Sequence, residues 1–251
     1  DNVDKENGNY DYLMGADIDL NNFDVVSELK TWGKWYIETT GIDGFRLDAV
    51  KHIRAEFYPE WLGELRSKTG KKLFSVGEYW STNIDTIGNY LEKVNYCMSL
   101  FDVPLHYNFY RASISNGEFN MSEIFEGTIV ERYPENAVTF VDNHDTEPGQ
   151  SLESWIPDWF KPHAYSLTLL RKDGLPCVFY GDYYGIEDHS VTPKNEMLHK
   201  ILKVRKYFAY GEQVDYFNDR SIIGFVRKGE YEHPNSGVAV VMTDSRGGCI
   251  H

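Results

Sequence analysis

Short apolar runs rich in β-branched and aromatic residues recur along the chain, each followed by loop residues and then by a stretch whose apolar positions return every third or fourth residue. That alternation predicts parallel βα units, because strands repeat every two residues and amphipathic helices about every 3.6. Strands are predicted over 45–47, 73–76, 98–101, 138–141 and 177–180. Buried helix faces are predicted at Val25, Leu29, Trp32 and Tyr36; at Ile53, Phe57, Trp61 and Leu65; and at Ile84, Ile87, Leu91 and Val94. Ala164, Leu167 and Leu170, then Leu198, Ile201, Leu202 and Arg205, repeat the pattern. Trp32, Trp35 and Trp61 fall within these helical stretches and are assigned to packing.

Beyond Tyr210-Gly211 the rhythm changes. Two strand-like runs, 221–227 and 237–243, follow one another with no helix between them, which predicts an antiparallel hairpin and the start of an all-β domain near residue 212. The fold class expected is therefore α/β, with the parallel units preceding a separate β region.

Length and charge narrow the picture. At 251 residues the chain is about the size of one (β/α)8 barrel. It opens on Asp1 with neither Met nor an apolar leader and stops at Gly248-Cys249-Ile250-His251, so a piece of a longer protein is expected. The net charge of -14 argues against nucleic acid or an anionic membrane as partner, since both recruit clustered Lys and Arg. No apolar run approaches the roughly 20 residues that cross a bilayer. Cys97, Cys177 and Cys249 are odd in number and lack C-x-x-C spacing, so neither a zinc site nor a disulfide framework is indicated.

Acids close three of the predicted strands. Arg46 and Asp48 share one face of the segment Gly44-Phe45-Arg46-Leu47-Asp48-Ala49-Val50-Lys51-His52, and a cation beside a carboxylate favours its charged form. Glu78 follows Phe74-Ser75-Val76-Gly77, and Asp145 ends Thr139-Phe140-Val141-Asp142-Asn143-His144-Asp145. Parallel strands of a barrel all point their C-terminal ends to one side, so such residues would converge. Two carboxyl groups of different proton affinity can cleave an acetal, one protonating the leaving oxygen while the other attacks the anomeric carbon or activates water. Glu78, beside Tyr79 and Trp80, suits the acid, and Asp48 beside Arg46 suits the nucleophile. Taken singly, each has a structural alternative: Asp48 as a helix cap, Glu78 as a solvated side chain, His144 as a structural hydrogen-bonder.

These three segments resemble signature regions of the α-amylase family, glycoside hydrolase family 13, in order and spacing. Asn7-Gly8-Asn9-Tyr10-Asp11-Tyr12-Leu13-Met14 and Phe179-Tyr180-Gly181-Asp182 extend the resemblance, specifically toward liquefying bacterial α-amylases, over essentially the whole chain. The resemblance implies endo-acting, retaining hydrolysis of α-1,4-glucosidic bonds in starch, glycogen and related α-glucans. Asp48 would be the nucleophile, Glu78 the acid and base, and Asp145 the carboxylate that stabilises the transition state. Arg46 and His144 would hold the nucleophile and sugar, Lys51 and His52 would face the leaving group, Tyr12 would stack on the sugar, and Trp80 would border the cleft. The implied fold is a TIM barrel lacking its first strands, followed by the start of a β-sandwich. Residues 1–22 would end an inserted calcium-binding domain, 23–211 would supply the barrel portion, and 212–251 would begin the C-terminal β domain. The full-length protein is expected to be a monomer.

Asp11, Asp17, Asp19 and Asn21 are hard oxygen ligands suited to Ca²⁺, although their spacing is not that of an EF-hand and, from these residues alone, an acidic solvated loop is the better account. The resemblance assigns Asp11, Asp17 and the His52 carbonyl to a structural calcium, and Asp19 and Asn21 to a second ion. Aromatic residues are 15% of the chain, and Tyr10, Tyr12, Tyr79, Trp80, Trp155 and Trp159 fall near loops where flat rings could pack on glucose units. A glucanotransferase or branching enzyme of the same fold, and a non-catalytic α-glucan-binding relative, are the alternative readings. A metal-dependent hydrolase lacks the paired histidines it would need.

Overall fold

The computed structural model describes residues 18–245. Two compact units divide the chain, Asp1–Phe101 and Asp102–His251.

In the first unit the order is α1 (Phe23–Thr40), β1 (Gly44–Leu47), α2 (Phe57–Thr69), β2 (Phe74–Gly77), α3 (Ile84–Lys93) and β3 (Ser99–Phe101). β1 lies parallel to β2 with Gly44 opposite Phe74 and Leu47 opposite Gly77, and β2 lies parallel to β3. The helices start and stop on local signals. Asn22 caps α1 by accepting from the Asp24 N–H, while Gly41 and Gly70 end α1 and α2 in the left-handed region that disfavours other residues.

The face that α1 buries differs from the expected one. Val26, Gly33 and Ile37 are buried, whereas Trp32, Trp35 and Tyr36 are 44%, 57% and 36% exposed, with the Trp32 and Tyr36 rings stacked 5.3 Å apart. Close approach to α2 is the reason. A Cβ built on Gly33 would lie 2.9 Å from both Trp61 and Leu65, so the contact face of α1 takes its smallest residue and turns the indoles outward. Trp61 is buried as expected, and its indole N–H donates to the Leu29 carbonyl at 3.0 Å.

The second unit contains α4 (Val103–Ile114), α5 (Ile129–Arg132), β4 (Ala137–Phe140), α6 (Lys161–Leu169), β5 (Leu175–Cys177), α7 (Tyr180–Tyr184), α8 (Asn195–Tyr207), β6 (Gln213–Tyr216), β7 (Ile222–Arg227) and β8 (Val238–Thr243). β4 and β5 are parallel, Val138 facing Leu175 and Phe140 facing Cys177. The strand expected over 177–180 therefore sits earlier: β4 ends at Phe140, Cys177 has no further partner to follow, and Tyr180 begins a helix. α4 was not foreseen. It buries Val103, Leu105, Phe109 and Ala112, and its start is marked by Asp102 as cap and Pro104 in the first turn. The buried Asp102 accepts from the N–H groups of Leu105, Ile129 and Val130, tying α4 to α5.

The predicted hairpin is present as β7 and β8, antiparallel with Ile222 opposite Thr243, and β6 adds to the other edge of β7. Among the described residues no helix is long and apolar enough to cross a membrane.

Candidate active site

In the first unit the chain turns sharply after β1. Ala49 adopts a left-handed conformation (φ 43°), uncommon for a residue with a Cβ, and this aims its N–H at Glu78 Oε2, 3.2 Å away. The Glu78 main chain is held on both sides, its N–H donating to Leu47 (2.9 Å) and its carbonyl accepting from Val50 (3.1 Å). Gly77 just before it packs closely, since a Cβ there would lie 2.9 Å from the Met98 sulfur and would force that side chain to shift. Arg46 Nη1 donates to Asp48 Oδ1, and Nη2 lies 3.4 Å from Glu78 Oε2.

The two acids differ in setting. The Asp48 side chain is 72% exposed and that of Glu78 only 9%. Burial pushes the Glu78 carboxyl above its ordinary range; the Ala49 N–H and the Arg46 guanidinium oppose that rise, while Asp48 adds to it through its charge and as a hydrogen-bond partner. The acids thus meet directly. Lys51 donates to the Trp80 carbonyl at 3.2 Å, and His52 closes a short turn by donating its N–H to Ala49. Trp80 is half-buried, but Tyr79 is a core residue whose ring packs 4.6 Å from that of Tyr90.

In the second unit a tight turn follows β4. Asn143 Oδ1 accepts from the N–H groups of Asp145 (2.9 Å) and Thr146 (3.1 Å), and the Asn143 N–H donates to Thr146 Oγ1 at 3.0 Å. Asp145 is partly buried, His144 is exposed, and His144 Nε2 lies 3.3 Å from Asp145 Oδ2.

Beneath that turn lies a cluster that motif reading missed. Lys161 and Asp142 are completely buried and in contact at 2.5 Å, and the same ammonium lies 2.8 Å from Asp182 Oδ1. Tyr165 donates to Asp182 at 2.5 Å, and Thr146 donates to Asp142 Oδ1 at 2.7 Å. Burial pushes the Asp142 carboxyl upward, and the Lys161 ammonium opposes that rise. Trp155 packs under this ammonium, 3.4 Å from ring centroid to nitrogen, whereas Trp159 is 46% exposed. His106, also buried, bonds the Val141 carbonyl through Nδ1 (2.6 Å) and Ser154 Oγ through Nε2 (2.8 Å). Asp142 and Asp182 stood within the quoted motifs. A lysine opening a helix carries no such signal.

Tyr10, Tyr12, Asp11 and Asp17 lie outside the described residues. Of the second calcium set, Asp19 Oδ1 accepts from the Asn21 N–H and Asn21 Oδ1 accepts from the Arg54 guanidinium, both at 2.9 Å. An oxygen facing a guanidinium is a poor ligand for a divalent cation, so these two residues do not fit a second ion. Among the described residues no group of three or more His, Cys, Asp or Glu could hold a metal.

Comparison with known proteins places these residues in context. The family described as alpha amylase, catalytic domain, matches residues 9–213. Over 98% of its length the chain is 56% identical to an α-amylase of Geobacillus stearothermophilus and 54% identical to a glucan 1,4-α-maltohexaosidase of Bacillus sp. (strain 707). It spans 45% and 48% of those proteins, about half their length. A solved Anoxybacillus α-amylase superposes with TM-score 0.69 at 20% identity, covering 92% of this chain and 54% of that one, a likeness of fold.

Proposed function

Because the chain belongs to the α-amylase catalytic-domain family, we propose that it supplies the reacting acids of an endo-acting, retaining glycoside hydrolase for α-1,4-glucans such as starch and glycogen. The observation that carries this reading is the Arg46–Asp48–Glu78 group: an exposed carboxylate beside a guanidinium, next to a buried carboxyl of raised proton affinity. Asp48 attacks the anomeric carbon while Glu78 gives its proton to the departing glucosidic oxygen. Glu78 then takes a proton from water, whose oxygen displaces Asp48 and regenerates both acids. Arg46 orients Asp48. By the family motifs Asp145 and His144 bind ring hydroxyls, Lys51, His52 and Trp80 contact the leaving side, and Tyr12 stacks on the sugar.

On the same reading residues 23–211 form the catalytic portion, 1–22 end an inserted domain, and 212–251 begin a β domain. One Ca²⁺ would be held by Asp11, Asp17 and the His52 carbonyl, where its role is to brace the loop after β1.

Soluble starch treated with the protein carrying this chain should gain reducing ends, the α-anomer appearing first by NMR. Glu78→Gln should lower kcat by about 10²–10⁴-fold. Redistribution of chain lengths without new reducing ends would assign a glucanotransferase, and β-anomer appearing first would overturn retention. In the same assay a chelator should lower both activity and Tm, and added Ca²⁺ should restore them; indifference to both removes the calcium.

A further inference from the structure

We propose that Lys161 is a positioning residue, whose ammonium, enclosed between Asp142 and Asp182, fixes the turn 142–146 that presents His144 and Asp145. The inference rests on the catalytic reading above for its kinetic consequence, but its geometry stands separately. From Lys161 the contacts run to Asp142 Oδ2, from Asp142 Oδ1 to the Thr146 hydroxyl, and from that hydroxyl to the Asn143 N–H. Asn143 Oδ1 then gathers the N–H groups of Asp145 and Thr146. Asp142 Oδ2 also accepts from the Ile156 N–H at 3.3 Å, and the Thr146 carbonyl accepts from the Ser154 N–H at 3.1 Å, so the far side of the loop is held as well.

Every polar group of Asp142 and Thr146 named here points inward, while the His144 side chain stays largely in solvent. A buried ion pair adds little stability over apolar residues of the same shape, yet removing one partner strands a charge. One ammonium shared by two buried carboxylates, with a tyrosine hydroxyl on Asp182 and an indole face beneath, is therefore better explained by the shape it imposes on this turn than by stability.

The test compares wild type with Lys161→Met and with Thr146→Val, which removes the hydroxyl linking Asp142 to Asn143 and leaves the ion pair in place. Amide exchange at 143–146 should rise about tenfold or more in each variant relative to 75–78. On starch, kcat should fall roughly 10²-fold in Lys161→Met with a smaller change in KM, the loss expected when a reacting group is displaced by about 1 Å. Should Lys161→Met fail to fold, Thr146→Val carries the same readouts. Folded variants whose exchange at 143–146 and whose kcat both match wild type would overturn the role of Lys161. A wild-type protein that leaves starch intact would count against the catalytic reading, and the exchange measurement would still decide the positioning.

Discussion

At the end of β1 the Asp48 side chain keeps 72% of its surface in solvent with one arginine beside it, whereas Asp142, just past β4, has none exposed and is engaged by an ammonium, a hydroxyl and a main-chain N–H. The same functional group does opposite work in the two places. Asp48 keeps lone pairs open to solvent beside Arg46; Asp142 has its oxygens committed, and gives its neighbours a fixed geometry. Glu78 stands between these extremes, its buried carboxyl raised in proton affinity and its main chain held on both sides. On the proposed reading, chemistry and shape fall to different acids.

The contrast breaks most readily by truncation. Asp142→Ala leaves Lys161 with one carboxylate partner, and should destabilise the fold by about 3–5 kcal/mol in urea unfolding. Asp48→Ala should change stability by less than about 0.5 kcal/mol while abolishing turnover. Equal losses in the two variants would erase the distinction. A second, slightly smaller effect comes from pH. Burial lowers the His106 pKa from 6.5 to about 4, so the unfolded chain takes up a proton before the folded one does. Stability from this residue is complete above about pH 6.5 and is lost as pH falls toward 4, roughly 3 kcal/mol in all. Buried Asp102, pushed up to about 6, acts in the opposite direction, so the measurement is the difference between wild type and His106→Gln; identical pH slopes would refute it. The smallest effect belongs to Trp32→Ala, expected within about 0.5 kcal/mol because the indole lies outside the core. A larger loss would mean that the outer face of α1 is covered in solution.

Legibility followed how local each determinant is. The strands bearing Asp48 and Glu78 could be read from short apolar runs that end in an acid, and the β7–β8 hairpin from two runs without a helix between them. The phase of α1 could not, because apolar residues populate most of its circumference and only the approach of α2 to Gly33 selects the buried side. β5 was displaced because its end is set by where β4 stops, a pairing made across more than thirty intervening residues. Lys161 escaped for the same reason: its partners lie 19 and 21 residues away. The engagement of Asn21 by Arg54 is likewise visible only in three dimensions.

Ala49 has a bearing on protein engineering. A residue with a Cβ held at φ 43° invites replacement by glycine, which would relieve roughly 1–2 kcal/mol of crowding. Selection for heat resistance alone would favour that change. The same replacement would slacken the hinge that keeps an N–H trained on Glu78, so a library screened by temperature would drift toward sturdier and slower proteins at this one codon.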